Sequence, residues 1–101
     1  MFVGVARFEL FIPESSSLKT KRGVLRSVIA GAQNKFNASV AEVEYQDLWQ
    51  RAAVGVSCVS DSTLHCRKML QEIERSIARS SVGMAEITGV TVSVVSLEDL
   101  S

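Results

Sequence analysis

SLKTKRGVLRSVIAGAQNKF, residues 17–36, reads as one amphipathic helix with a basic first half. Leu25, Val28, Ile29, Ala32 and Phe36 recur at the spacing of one helical face. Lys19, Arg22 and Arg26 line one flank of that face. Lys21 falls near the apolar stripe, where its stem can pack beneath a charged tip. The remaining face is small and neutral: Gly23, Ser27, Ala30, Gly31 and Asn34. It reads as solvated. Ser16 or Ser17 is placed to cap the N-terminus. A helix with one apolar stripe needs a surface to cover, and the flanking segments predict a sheet.

On the N-terminal side, residues 2–12 alternate with period two. Phe2, Gly4, Ala6, Phe8, Leu10 and Ile12 share one face; Val3, Val5, Arg7, Glu9 and Phe11 share the other, and Pro13 ends the strand. On the C-terminal side, residues 38–45 predict a second strand with Glu42 and Glu44 together on its solvent side. Residues 52–59 predict a third, with Ala52, Val54, Val56 and Cys58 inward. Ser60 or Asp61 then caps a second helix over residues 62–80. Its inner stripe is Cys66, Met69, Leu70, Ile73 and Ile77. Its outer stripe, Lys68, Glu72, Arg75 and Arg79, is spaced to form ion pairs along the helix. Residues 85–97 predict the last strand, with Val90, Val92 and Val94 inward, and 97–101 a short acidic tail that frays. The order β-α-β-β-α-β predicts an α+β, ferredoxin-like sandwich, a single domain over residues 1–101. In it a four-stranded antiparallel sheet carries two helices on one face. In this topology the loop after the first strand lies beside the loop after the second.

A chain of 101 residues with 47% hydrophobic residues is long enough for a real core. The formal net charge is zero, so bulk attraction to a polyanion is not expected. The charge is unevenly spread, however. Residues 15–41 hold five cations and no anion, and such a patch can steer an anionic partner. No basic leader and no apolar run of membrane length is visible, and two cysteines without a secretion signal predict reduced thiols in the cytoplasm.

Three motifs in order, SLKTKR (residues 17–22), FNASVAEV (36–43) and QDLWQRA (46–52), resemble the signatures of the YlxP-like family, a small bacterial family without an assigned function. The resemblance spans nearly the whole chain. It implies a ferredoxin-like fold. It also implies a link to ribosomes or RNA, because family genes often neighbour those for translation initiation factor 2 and ribosome-binding factor A. It supplies no active site to carry over.

The residues themselves nominate two anion-binding sites. One is the start of the first helix, Lys19, Lys21, Arg22 and Arg26, where free N–H groups and cations suit phosphate. Cations there oppose the helix dipole, against the usual preference for acids in a first turn. The other is Trp49 with Arg51, a ring that could stack on a base beside a phosphate-binding cation. The competing reading of Trp49, and the favoured one, is a lid over the open end of the core. Cys58, His65 and Cys66 fit no common zinc spacing and lack a fourth ligand, so no metal is expected, and both thiols are assigned to the core. No cofactor motif is present. No catalytic residue is nominated: Ser15, Ser16 and Ser17 have no nearby histidine base, and the loop after the first strand lacks the arginine that acylphosphatases place there. The third strand lacks the aromatics on which RNA-recognition motifs stack bases. The expected function is a non-enzymatic RNA- or ribosome-associated module. The alternative is a dimeric structural or regulatory interaction protein that binds protein or a small ligand. A homodimer is expected through the largely apolar helix-free sheet face or an edge strand. A small phosphoryl hydrolase is the third reading.

Overall fold

The computed structural model describes residues 1–100. The elements follow the expected order: β1 (Phe2–Phe11), α1 (Leu18–Lys35), β2 (Ser39–Glu44), β3 (Arg51–Ser60), α2 (Thr63–Ser80) and β4 (Glu86–Ser96). The sheet runs β2-β3-β1-β4 with every pair antiparallel. Ser17 is the N-cap of α1, its hydroxyl accepting from Thr20 N at 3.1 Å. Ser62, rather than Ser60 or Asp61, caps α2 by accepting from His65 N. Ser60 Oγ is taken up instead by Ser62 N and His65 Nδ1.

The core lies between the sheet and the two helices. Ala6, Phe8, Leu10 and Ile12 meet Val54, Val56, Leu25, Val28, Ala32, Leu70, Ile73 and Ile77 there. Cys58 and Cys66 are buried in the same cluster. Burial, with Cys66 beside it, pushes the Cys58 thiol up. Gly31 is not solvated as its face suggested: a Cβ there would meet Ser80 Oγ at 3.0 Å, so it is where α1 approaches α2. Gly23, by contrast, faces open space. Val90 and Val92 point inward in register with Phe8 and Ala6, yet remain exposed because β4 is an edge strand.

Two bulges alter the expected faces. Between Glu42 and Glu44 the register against β3 slips by one residue, so Glu42 sits opposite Val54 and Glu44 opposite Ala53. The two glutamates therefore lie on opposite faces of the sheet, not together in solvent. Val43 swings over Gly55, where a Cβ would lie 2.8 Å from its Cγ1. A second slip follows the Glu9–Gly89 pair and skips Thr88 of β4, and the missing Cβ of Gly89 leaves room for the Glu9 carboxylate. The segment expected to fray follows β4 directly, from Leu97. Leu97–Leu100 form a 3-10 turn, with Leu97 N donating to Met1 O and Ser96 Oγ to Asp99. Ser101, the last residue of that expectation, lies outside the described residues. No helix among the described residues is long and apolar enough to cross a membrane.

Candidate nucleic-acid interface

The chain's neutrality conceals a division between layers. α1 and α2 carry nine of the eleven cations and only two anions, Glu72 and Glu74, an excess of seven positive charges. The sheet, loops and tail hold the other nine anions against Arg7 and Arg51, an equal negative excess. Both helices cover one face of the sheet, so the molecule presents a basic helical side and an acidic remainder.

The six residues nominated from the sequence separate into three environments. Lys19, Arg22 and Arg26 are exposed on α1, and among the described residues none has a carboxylate within 4 Å. They form the expected basic patch. Lys21 does not belong to it. Its side chain is 1% exposed, its ammonium lies 3.0 Å from Glu42 Oε2, and it donates to the Tyr45 carbonyl. The cause is its position on the helix, on the core side beside Leu25 and Val28, and the bulge that turns Glu42 inward. Lys21 is a structural cation bridging α1 to the β2 edge and has no free charge to offer a ligand.

Trp49 and Arg51 border one open groove but differ in their other contacts. Loop residues 45–50 pack beside the end of β1 as the topology requires, with Ile12 N donating to Gln50 O and Gln50 Nε2 to Pro13 O. Trp49 is 53% exposed at the tip and does not close the core, contrary to the lid reading. Leu48 and Arg51 border it along an open groove. Trp49→Ala is expected to leave the melting temperature nearly unchanged, within the ~0.5 kcal/mol typical of surface changes. If the ring stacks on a base, RNA affinity falls in the same variant; thermal melts and binding titrations check the two effects.

Arg51 turns to the helix-free face, where it joins a network the sequence did not reveal. Its guanidinium lies 4.3 Å from the Tyr45 ring centroid and 3.8 Å from Glu9 Oε1. Arg7 contacts the same ring at 5.7 Å and pairs with Glu44 and, at 3.4 Å, with Glu9. The Tyr45 hydroxyl donates to Glu9 Oε1. The Arg7 guanidinium, hydrogen-bonded to Glu44, holds that carboxyl below the usual range and is itself raised. Tyr45 has a positive φ of 66°, an uncommon backbone state for a bulky residue. Its carbonyl is fixed from the helix side by Lys21 and its ring from the sheet side by the two arginines. Alternation alone places Arg7 and Glu9 on this face, but only the bulge brings Glu44 to them. Arg51 is therefore committed to the sheet face and stands apart from the α1 patch.

A second set of exposed cations lies on α2. The expected pairing along Lys68, Glu72, Arg75 and Arg79 is not formed: among the described residues no carboxylate lies within 4 Å of these three cations. Among the described residues no group of three or more His, Cys, Asp or Glu is placed to hold a metal ion.

The comparisons with known proteins concern family and fold. A family model described as "Protein of unknown function (DUF503)" matches residues 3–93. The uncharacterized protein YlxP of Bacillus subtilis (strain 168) is 42% identical over 88 residues, which span 77% of this chain and 96% of that protein. Among solved structures, a candidate chlorite dismutase, TA0507, superposes with a TM-score of 0.60 at 7% identity; the match covers 98% of this chain but only 46% of that one. The designed protein Foldit4 matches with a TM-score of 0.54 at 15% identity over 95% and 98% of the two chains. Rv0793 of Mycobacterium tuberculosis matches at 0.53 and 18% identity, over 92% and 93%. At these identities the structural matches speak to the fold alone.

Proposed function

We propose that this chain, which belongs to the DUF503 family of proteins of unknown function, is a non-enzymatic RNA- or ribosome-associated module that grips phosphate with its helical side. One observation carries the reading. Lys19, Arg22 and Arg26 stand exposed and without carboxylates on a helix that contains no acid, while most anions lie in the sheet, loops and tail. Such a division orients the domain in the field of a polyanion although the net charge is zero. The cations sit on a rigid helix rather than a loop, which suits backbone recognition and leaves base sequence unread. The module works in the cytoplasm, where ribosomes are.

The test is the triple variant Lys19→Gln, Arg22→Gln and Arg26→Gln. RNA affinity is expected to fall, and the slope of log affinity against log salt to flatten by about 0.7 for each lost single-strand contact. The melting temperature should hardly move, since all three side chains are exposed. Parent-like binding to RNA and ribosomes at every salt concentration would reduce the patch to a solvated face and defeat the proposal.

A further inference from the structure

The basic first half of α1 is only one wall of the helical side. Where α1 ends against α2, two adjoining grooves of about 290 and 240 Å³ share Lys35, Phe36 and Glu72. Lys68 rims the first, and Arg75 and Arg79 rim the second. Four cations thus meet one carboxylate, and none of the four is engaged in an ion pair among the described residues. A cluster of like charges left unpaired costs stability by self-repulsion, and an anion placed between them removes that cost. Phe36 is the C-cap of α1 and half-buried; it packs against the core and lines both grooves, with Lys35 Nζ 5.8 Å from its ring centroid. The groove therefore offers an aromatic surface beside planar guanidinium groups, the pairing that suits a base next to its phosphate.

We infer that this inter-helix cleft is a second nucleic-acid contact, holding a single strand with a base against Phe36 and its phosphodiesters against Lys35, Lys68, Arg75 and Arg79. The inference rests on the RNA-binding reading above and extends it. The strand that begins at Lys19, Arg22 and Arg26 crosses the small face of α1 and reaches α2. An α1 of 18 residues is about 27 Å long at 1.5 Å per residue. A single nucleotide is too short to bridge from one wall to the other, whereas an oligonucleotide is not.

The experiment measures binding of a labelled oligouridylate of about twelve nucleotides, within the usual site size for single-strand binders, across a salt series. The parent is compared with Lys68→Gln/Arg75→Gln/Arg79→Gln, with Phe36→Leu, and with the α1 triple variant. The α2 triple variant is expected to lose about tenfold in affinity at low salt and to flatten the salt slope by about two. Phe36→Leu is expected to weaken binding while keeping the parent's slope, because it removes a stacking surface and no charge. It keeps an apolar side chain at the core, and titrations run well below its melting point read binding rather than folding. If the α2 triple variant and Phe36→Leu bind as the parent does while the α1 triple variant is weakened, the cleft is overturned and the first-helix reading stands. If the parent itself does not bind the oligouridylate, both fall. If polyglutamate displaces the oligonucleotide at equal charge concentration, the cleft takes acidic protein and the assignment to nucleic acid is wrong.

Discussion

Lys21→Met is expected to destabilise the fold by about 3 kcal/mol, the lower end of the range for breaking a buried ion pair. For a domain of this size that lowers the melting temperature by roughly 12–24 °C. The variant keeps the packing volume of the lysine stem and removes the ammonium, its charge and its hydrogen-bond donors together. Glu42 is then left facing the helix layer with its side chain 21% exposed. Its Oε2 lies 3.0 Å from the Lys21 ammonium but outside hydrogen-bond geometry, and among the described residues it has no other donor. It is held by charge alone, so loss of the cation leaves nothing in its place. The Tyr45 carbonyl loses one donor as well, keeping that from Leu48 N. Partial access of water to Glu42 is the reason for choosing the lower end of the range. The double variant Lys21→Met/Glu42→Leu is expected to recover most of the loss, since a buried pair replaced by apolar groups of similar volume is often neutral. Melts of the two single variants and the double variant give the coupling directly. A Lys21→Met protein that melts with the parent would show that the lysine is not the bridge described. In binding assays the profile should reverse that of its neighbours: RNA affinity unchanged below the melting point, stability lost.

Gly4→Val is the second large effect, at ~3 kcal/mol, the upper part of the range for overpacking. Gly4 sits on the inward face of β1 where α2 crosses. A Cβ there would lie 3.0 Å from Cys58 Sγ, 3.1 Å from Leu70 Cδ1 and 3.2 Å from Cys66 Cβ. Alanine forces small shifts in all three, partly offset by the lower entropy of its unfolded chain, and should cost ~1 kcal/mol. Valine adds two further carbons where core atoms already stand. If the thiol is the obstacle, Cys58→Ala should absorb part of the Gly4→Ala cost, and the double variant should be more stable than the sum of the singles. Thermal melts of the series decide it. Additive costs would move the obstruction to Leu70, and a Gly4→Val protein as stable as the parent would mean that the strand and helix are not closely packed there.

What could be read from the sequence follows from how local each feature is. The element order, the cap at Ser17 and the inward stripes of β1, β3 and α2 are fixed by periodicity and turn chemistry within one segment. Glu42 and Glu44 could not be placed, because a one-residue bulge reverses alternation and nothing in SVAEVE marks it. The burial of Lys21 was half visible, in its angle on the helix, but its partner depended on that same bulge. Arg51 and Trp49 are two residues apart and line one open groove, but their other contacts differ. In the fold Arg51 begins β3 and faces the sheet side, while Trp49 stays at the loop tip. The α2 stripe looked self-neutralising because its spacing permits ion pairs. Spacing allows such pairs without requiring them, and exposed pairs contribute little. The division of charge between the layers depends on which segments become helices and on their sharing one sheet face, so it is a property of the fold rather than of any window of sequence.

The most direct measurement of the central claim is an ultraviolet crosslinking map of the full chain bound to ribosomal particles, with and without ribonuclease treatment. The crosslinked peptides are then identified by mass spectrometry. The helical side predicts RNA-dependent crosslinks in peptides from Leu18–Lys35 and Thr63–Ser80, lost when the RNA is digested. Crosslinks confined to β1 and β3 peptides, or association that survives complete digestion of the RNA, would contradict it.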